Sequence, residues 1–112
     1  MGKASQRKGA QGERELAELL REALGVDTKR GAIPYGGSSD VEGLPLVHIE
    51  CKRVESLSLY KAFEQSVRDA EKTGEIPAVF HRRNRKPWLV VMSLDDWLSF
   101  YKAYSELESP DL

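Results

Sequence analysis

The stretch LVHIECKR, residues 46–53, decides the fold of this chain. Apolar and polar side chains alternate along it, which predicts a β-strand with two different faces. Ile49 and Cys51 lie on the apolar face, which we assign to the core, so Cys51 is expected to be a small buried hydrophobe. Glu50 and Lys52 share the opposite face, about 7 Å apart along the strand, where they form either an ordinary ion pair or part of an active site.

The chain has 112 residues, which predicts a single domain over residues 1–112. Apolar residues make up 40% and charged residues 31%, as in small globular proteins. No stretch is long and apolar enough for a membrane span or a secretory signal, so we expect a cytoplasmic protein. One cysteine excludes a disulfide scaffold and a thiolate zinc site, and two histidines leave a hard cation held by oxygen atoms as the expected metal.

The elements around this strand are predicted from apolar periodicity and from glycine and proline positions. Their order, α-β-β-β-α-β-β-α, predicts an α/β or α+β domain with one central sheet. A basic tail over 1–8 and an acidic tail over 106–112 are expected to be flexible. The predicted elements are a helix over 13–24, strands over 26–33, 38–42 and 46–53, a helix over 59–72, a hairpin of strands over 77–82 and 88–92, and a helix over 97–106 with Ser93 or Asp95 as its cap.

Charge is distributed unevenly along a chain whose net charge is only −1. Basic residues gather near the N-terminus and in the hairpin turn over 82–86, whereas the sequence after Ser93 is acidic. Local basic patches on a neutral protein can bind phosphate backbones. Solvated loops and termini explain such runs equally well.

Asp40 adds a second carboxylate to the face of Glu50. Gly43 and Pro45 mark a tight turn between the two, so an antiparallel pairing of the flanking strands brings Asp40 beside Glu50. Two facing carboxylates repel each other, and such a pair is retained mainly where a cation binds between them. The sequence therefore predicts a divalent cation site here, with Lys52 at its rim.

This arrangement resembles a known family of nucleases. Asp40 followed by Glu50-x-Lys52 at the end of an apolar strand resembles the active-site motif of the PD-(D/E)xK nuclease superfamily, although Ser39 replaces the proline of that motif. The stretch KGAQGEREL, residues 8–16, resembles the first helix of archaeal-type Holliday junction resolvases and small phage endonucleases. The resemblance implies a restriction-endonuclease-like core, in which helices flank a central mixed sheet of about five strands.

The resemblance, which covers most of residues 7–92, also implies a function. It implies an endodeoxyribonuclease that uses Mg²⁺ or Mn²⁺ to hydrolyse phosphodiester bonds. A Holliday junction resolvase of DNA recombination and repair, of phage origin, is the favoured expectation. The alternatives are a nicking or flap-type nuclease, and a non-catalytic DNA-binding module on the same fold. Two symmetric cuts in a junction require two sites, so a homodimer is expected.

The resemblance further assigns roles to individual residues. Glu13, Asp40, Glu50 and the backbone carbonyl of Cys51 are expected to hold the metal, and Lys52 is expected to position the nucleophile. The implied catalytic set is thus Glu13, Asp40, Glu50 and Lys52. The candidate contacts to the DNA backbone are Lys8, Arg30, Arg53, Arg82, Arg83 and Arg85.

Three further features have two interpretations each. Gln65, on the helix after the lysine strand, either approaches the metal or faces solvent. His48 shares the face of Glu50, where it either touches the substrate or the groups around the metal, or is a half-exposed strand histidine without a role, which is the simpler interpretation. The dimer interface is expected on the helix over 59–72 or on the aromatic C-terminal helix, whose exposure on a monomer would be costly.

Overall fold

The computed structural model describes residues 3–31 and 40–108. It contains a five-stranded sheet, against which two of the three described helices pack, in the element order that the sequence predicts. The turn expected around Pro34, Gly36 and Gly37 lies outside the described residues. The elements are α1 (Lys3–Leu24), β1 (Lys29–Arg30), β2 (Val41–Glu42), β3 (Val47–Arg53), α2 (Leu59–Ala70), β4 (Ile76–Arg82), β5 (Leu89–Val91) and α3 (Leu94–Glu108).

The ends of the helices differ from those expected. Helix α1 already begins at Lys3, so residues 3–8, expected to be a flexible tail, are helical. Helix α3 runs to Glu108, so it includes residues 106–108 of the expected acidic tail, and residues 109–112 lie outside the described part. Its first turn is capped as predicted by Ser93, whose Oγ accepts a hydrogen bond from the backbone N–H of Asp96 at 3.1 Å. None of the described helices is long and apolar enough to cross a bilayer.

The sheet is mixed, and β3 lies at its centre. The strand order is β1-β2-β3-β4-β5; β3 and β4 run parallel, and the other neighbours are antiparallel. A parallel connection needs a long crossover, which α2 supplies between β3 and β4. The antiparallel β4–β5 pair is the predicted hairpin, although β5 is shorter than expected.

The two faces of β3 are covered by different helices. Leu16 and Ala17 of α1 pack in the core with Ile49 and Cys51, as the alternation predicts. On the opposite face, α2 lies over the strand and His48 is only 1% exposed. The expectation of a half-exposed histidine is therefore wrong, because the coverage of that face depends on a helix that the strand pattern does not reveal.

The turn between β2 and β3 depends on a glycine. Gly43 has a φ of +100°, and a Cβ atom there would lie 2.2 Å from the carbonyl oxygen of Asp27. Only glycine adopts this conformation without strain and lets the two backbones approach so closely. The position fixes the segment that carries Asp40 against the segment that leads into β1.

We predict that Gly43→Ala lowers the free energy of unfolding by about 2 kcal/mol or more, because it adds backbone strain and a steric overlap. Urea unfolding followed by circular dichroism measures the change. Gly9→Ala is the matched control, since a Cβ at Gly9 in α1 meets nothing within 4 Å. That control should raise the stability by about 0.5–1 kcal/mol. Equal stability of the two variants would contradict the prediction.

Candidate active site

Strand β3 carries the first two residues of the site on the face covered by α2. The Glu50 side chain is 6% exposed, and Lys52, 28% exposed, places its Nζ 3.3 Å from Glu50 Oε2. A carboxylate so far from water is costly unless a cation or hydrogen bonds compensate its charge. The ammonium group of Lys52 supplies one compensating positive charge at the solvent-facing rim of the site.

Asp40 is held against the same strand by two hydrogen bonds. Its N–H donates to the carbonyl oxygen of Ile49 at 2.9 Å, and its Oδ2 accepts from the N–H of Cys51 at 2.8 Å. These contacts continue the antiparallel register in which Val41 faces Ile49. The turn thus brings Asp40 beside Glu50, as the sequence predicts.

The pKa of Asp40 records how crowded the two carboxyl groups are. Burial is the largest cause, the negative charge of Glu50 is the second, and together they raise the pKa of Asp40 from 3.8 to about 7. A hydrogen bond between the two side chains acts in the same direction, whereas the Cys51 N–H and the charge of Lys52 oppose the rise. The site therefore favours a positive charge, either a proton or a metal ion, between Asp40 and Glu50.

Glu13 lies on α1, beside Arg30 of β1. Its Oε1 accepts a hydrogen bond from Arg30 Nε at 2.6 Å, and its side chain is 19% exposed. The close approach of α1 to β3 depends on the neighbouring Gly12, since a Cβ there would lie 2.4 Å from Cβ of Arg53 on β3. A glycine before the glutamate therefore lets α1 lie directly on the strand.

The thiol of Cys51 lies among several negatively charged groups. Burial raises the pKa of its thiol, and the charges of Asp40, Glu13 and Glu50 raise the same pKa further. The thiol is therefore protonated and unsuited to nucleophilic attack, as expected of a buried small hydrophobe. Of the four residues implied as catalytic, Asp40, Glu50 and Lys52 come together at the central strand, and Glu13 lies on α1 beside Arg30.

The structure adds Asp69, which the sequence reasoning missed. His48, Glu50 and Asp69 each offer a ligand atom, and these atoms all lie within 4.8 Å of one another. His48 Nδ1 also lies 3.9 Å from Glu75 Oε1. Nothing in the local pattern marks Asp69, because only the packing of α2 on β3 brings it to Glu50.

The candidate DNA-backbone contacts divide into two groups. Arg83 and Arg85 are exposed in the loop between β4 and β5. The other four each lie in an ion pair with a carboxylate of the protein, a feature that the charge pattern does not predict. These pairs are Lys8 and Glu55 at 2.9 Å, Arg53 and Glu55 at 3.7 Å, Arg30 and Glu13 at 2.6 Å, and Arg82 and Glu15.

Gln65 lies on α2 close to the lysine side of the site. It is exposed and lines, together with Lys52, an open cleft of about 320 Å³. This position fits a solvent-facing residue and also one that approaches a substrate bound at Lys52. A role for Gln65 therefore stays a prediction.

Comparison with known proteins places the chain in a family. Residues 4–109 match the family described as "Phage putative PDDEXK endonuclease". The fold is similar to that of Hjc, a Holliday junction resolvase from the archaeal hyperthermophile Archaeoglobus fulgidus. That likeness has a TM-score of 0.56 and 24% sequence identity, and it covers 76% of this chain and 72% of that one.

At this identity the likeness concerns the fold alone, and it confirms the expected restriction-endonuclease-like core. No curated protein matches the sequence. The family match nevertheless extends over nearly the whole length, including every residue of the acidic site. The chain therefore belongs to the phage PD-(D/E)xK endonuclease family.

Proposed function

We propose that this endonuclease is metal-dependent and resolves branched DNA, with the Holliday junction as its substrate. The observation that carries the proposal is the pair of facing carboxyl groups, Asp40 and Glu50, with Lys52 3.3 Å from Glu50. Family membership supports hydrolysis of phosphodiester bonds in DNA. Such an enzyme would act in DNA recombination or repair, in the cytoplasm that holds its substrate.

The donor set fits a hard divalent cation. Asp40, Glu50, Glu13 and the carbonyl oxygen of Cys51 are oxygen ligands of the kind that Mg²⁺ and Mn²⁺ prefer. The raised pKa of Asp40 supports this assignment, because crowded negative charge is what a bound cation relieves. When bound at these oxygen atoms, Mg²⁺ would supply Lewis-acid activation of water and would neutralise charge on the phosphate under attack.

The protein groups around that site have separate tasks in the proposed mechanism. The N–H of Cys51 orients the Asp40 carboxylate through its 2.8 Å hydrogen bond. Lys52 positions the attacking water and donates to a phosphate oxygen as its negative charge grows. A lysine suits this task, because a single oxygen needs one compact charge and no planar fork.

The DNA backbone would lie across the basic residues that surround the acidic site. Arg83 and Arg85 are exposed in the β4–β5 loop, and Lys8, Arg30, Arg53 and Arg82 belong to ion pairs with carboxylates of the protein. Contacts of this type fix the position of DNA without reading its sequence. This supports recognition of DNA shape rather than of a sequence.

Two other activities remain as alternatives. A nicking or flap-type nuclease would use the same acidic site and differ only in how the DNA is held. A non-catalytic DNA-binding module is less well supported. Carboxylates at the place of a bound phosphate repel it and so weaken DNA binding, unless a metal neutralises their charge.

A homodimer is part of the proposal, and α3 is its proposed interface. None of the described α3 side chains is buried, and Trp97, Tyr101 and Tyr104 follow one another at helical spacing on one face. Strand β5 is an edge of the sheet, and its Leu89 and Val90 are each about half exposed. An exposed apolar helix face and an exposed edge strand suit a second copy of the chain, which would also provide the second active site.

We predict Mg²⁺-dependent, symmetric cuts in a labelled four-way DNA junction, with a linear duplex and a flap as comparison substrates. Glu50→Gln and Lys52→Ala should each lower the cleavage rate by about a hundredfold or more, because they remove a metal ligand and a charge on the reacting phosphate. Glu22→Gln and Lys72→Ala are matched controls at exposed positions and should cut like the wild type.

Each substrate pattern in this assay has a distinct meaning. Cleavage of all three substrates would retain the nuclease and contradict junction resolution. Binding of DNA without any metal-dependent cleavage would favour the non-catalytic module. Full activity of Glu50→Gln and Lys52→Ala would contradict the assigned site.

We predict that Tyr104→Glu converts a dimer into a monomer, as measured by size-exclusion chromatography with light scattering. The added charge lies on the apolar face of α3, where pairing would bury it. Ser99→Glu adds the same charge to the opposite, polar face and should leave the dimer intact. A wild-type protein that stays monomeric at micromolar concentration would contradict the dimer.

A further inference from the structure

A second pocket, of about 390 Å³, lies between α1, the end of β3 and the β4–β5 loop. Its charged lining residues are Arg7, Lys8, Arg53 and Glu15. Glu15 is already compensated, since it pairs with Arg82 and accepts a hydrogen bond from Trp88 Nε1 at 3.1 Å. The pocket is therefore positively charged and suited to an anion.

Glu55 makes the contacts that such an anion would make. Its Oε2 accepts from Lys8 Nζ at 2.9 Å and from the backbone N–H of Asn84 at 2.8 Å, and it lies 3.7 Å from Arg53 Nη1. These three donors come from separate segments of the chain, and all three residues line the pocket. Two cations and a backbone amide around one oxygen form a donor set that phosphate oxygens use.

Arg53 is fixed in place before any ligand arrives. Its side chain is 14% exposed and lies under Gly12 of α1. Its Nη1 is buried and has no hydrogen-bond acceptor among the described residues, since Glu55 is too far away at 3.7 Å. A buried donor without an acceptor is unfavourable, and a phosphate with several oxygens can satisfy it together with Lys8.

Glu55 itself is able to leave this position. Its side chain is 47% exposed, so water can solvate the carboxylate once the contacts break. Exposed ion pairs of this kind contribute little to stability, because water screens the attraction. A phosphodiester could therefore replace Glu55 without a large loss of folding stability.

The pocket is distinct from the site of cleavage. Arg53 lies three positions after Glu50 on β3, a separation of about 10 Å along the strand. Its side chain also points to the α1 face, whereas Glu50 and Lys52 face α2. A phosphate bound here is thus a different phosphate from the one that is cleaved.

We propose that this pocket binds a non-scissile phosphate of the DNA backbone, and that Glu55 occupies its donors until DNA displaces the carboxylate. The inference rests on the proposed function for the identity of the ligand as DNA. Glu55 is then an internal anion that competes with the DNA phosphate. It lowers the affinity for DNA and keeps Lys8 and the Asn84 amide in position.

Binding of fluorescently labelled four-way junction and linear duplex, measured by anisotropy in EDTA, tests the proposal without cleavage. Glu55→Gln should bind both DNAs about three- to tenfold more tightly than the wild type at one salt concentration, because its donors become available to phosphate. Glu22→Gln changes the net charge equally at a distant exposed position and should change the affinity less than about twofold.

Lys8→Gln should weaken binding and lower the slope of log affinity against log salt by about one, the change expected for one lost phosphate contact. The double variant Lys8→Gln/Glu55→Gln should lose most of the gain of Glu55→Gln, because that gain acts through Lys8. Lys8 and Glu55 are more exposed than Arg53, so their substitution avoids the risk that a change at Arg53 unfolds the protein.

The sign of the Glu55→Gln effect decides the proposal. An affinity of Glu55→Gln equal to that of Glu22→Gln, or lower than that of the wild type, would overturn the proposal. Glu55 would then only hold its neighbouring residues in position. Absence of DNA binding by the wild type would overturn it as well. Tighter binding by Glu55→Gln together with no Mg²⁺-dependent cleavage by the wild type would support the pocket and contradict the proposed function.

Discussion

The carboxyl groups of Asp40 and Glu50 are held together where water reaches them poorly, so their negative charges repel each other. The local architecture depends on how the protein compensates this repulsion. Burial and the neighbouring charge raise the pKa of Asp40 to about 7. The fold opposes the repulsion with the N–H of Cys51 at 2.8 Å and with the ammonium group of Lys52. A backbone that fixes two acids in this way is preorganised for a cation, because the unfavourable electrostatic energy already exists before the metal binds.

The surrounding elements hold that pair in place. Thr28, fully buried, donates to the carbonyl oxygen of Ala17 at 2.6 Å and so ties the segment before β1 to α1, which keeps Arg30 beside Glu13. Gly12 lets α1 lie directly on β3. The acidic centre and the basic pocket thus share one helix and one strand, and four of the basic residues around them, Lys8, Arg30, Arg53 and Arg82, are paired with carboxylates of the protein.

Much of the fold was predictable, because its signals are local. The alternation over β3, the turn at Gly43 and the helical spacing in α1 and α2 gave the element order and the placement of Asp40 beside Glu50. The burial of His48 was not predictable, since it depends on the helix that covers the strand. Asp69 and Glu55 were missed for the same reason: their partners are distant in the chain, and no spacing rule connects them.

The central claim, that Asp40 and Glu50 form a divalent cation site, is tested most directly by calorimetric titration of Mn²⁺ into the wild type, Asp40→Asn and the control Glu22→Gln. We expect saturable binding by the wild type and the control, and an affinity at least about tenfold lower for Asp40→Asn, which keeps the size of the side chain and removes its charge. Equal Mn²⁺ affinity of Asp40→Asn and the wild type would contradict the claim.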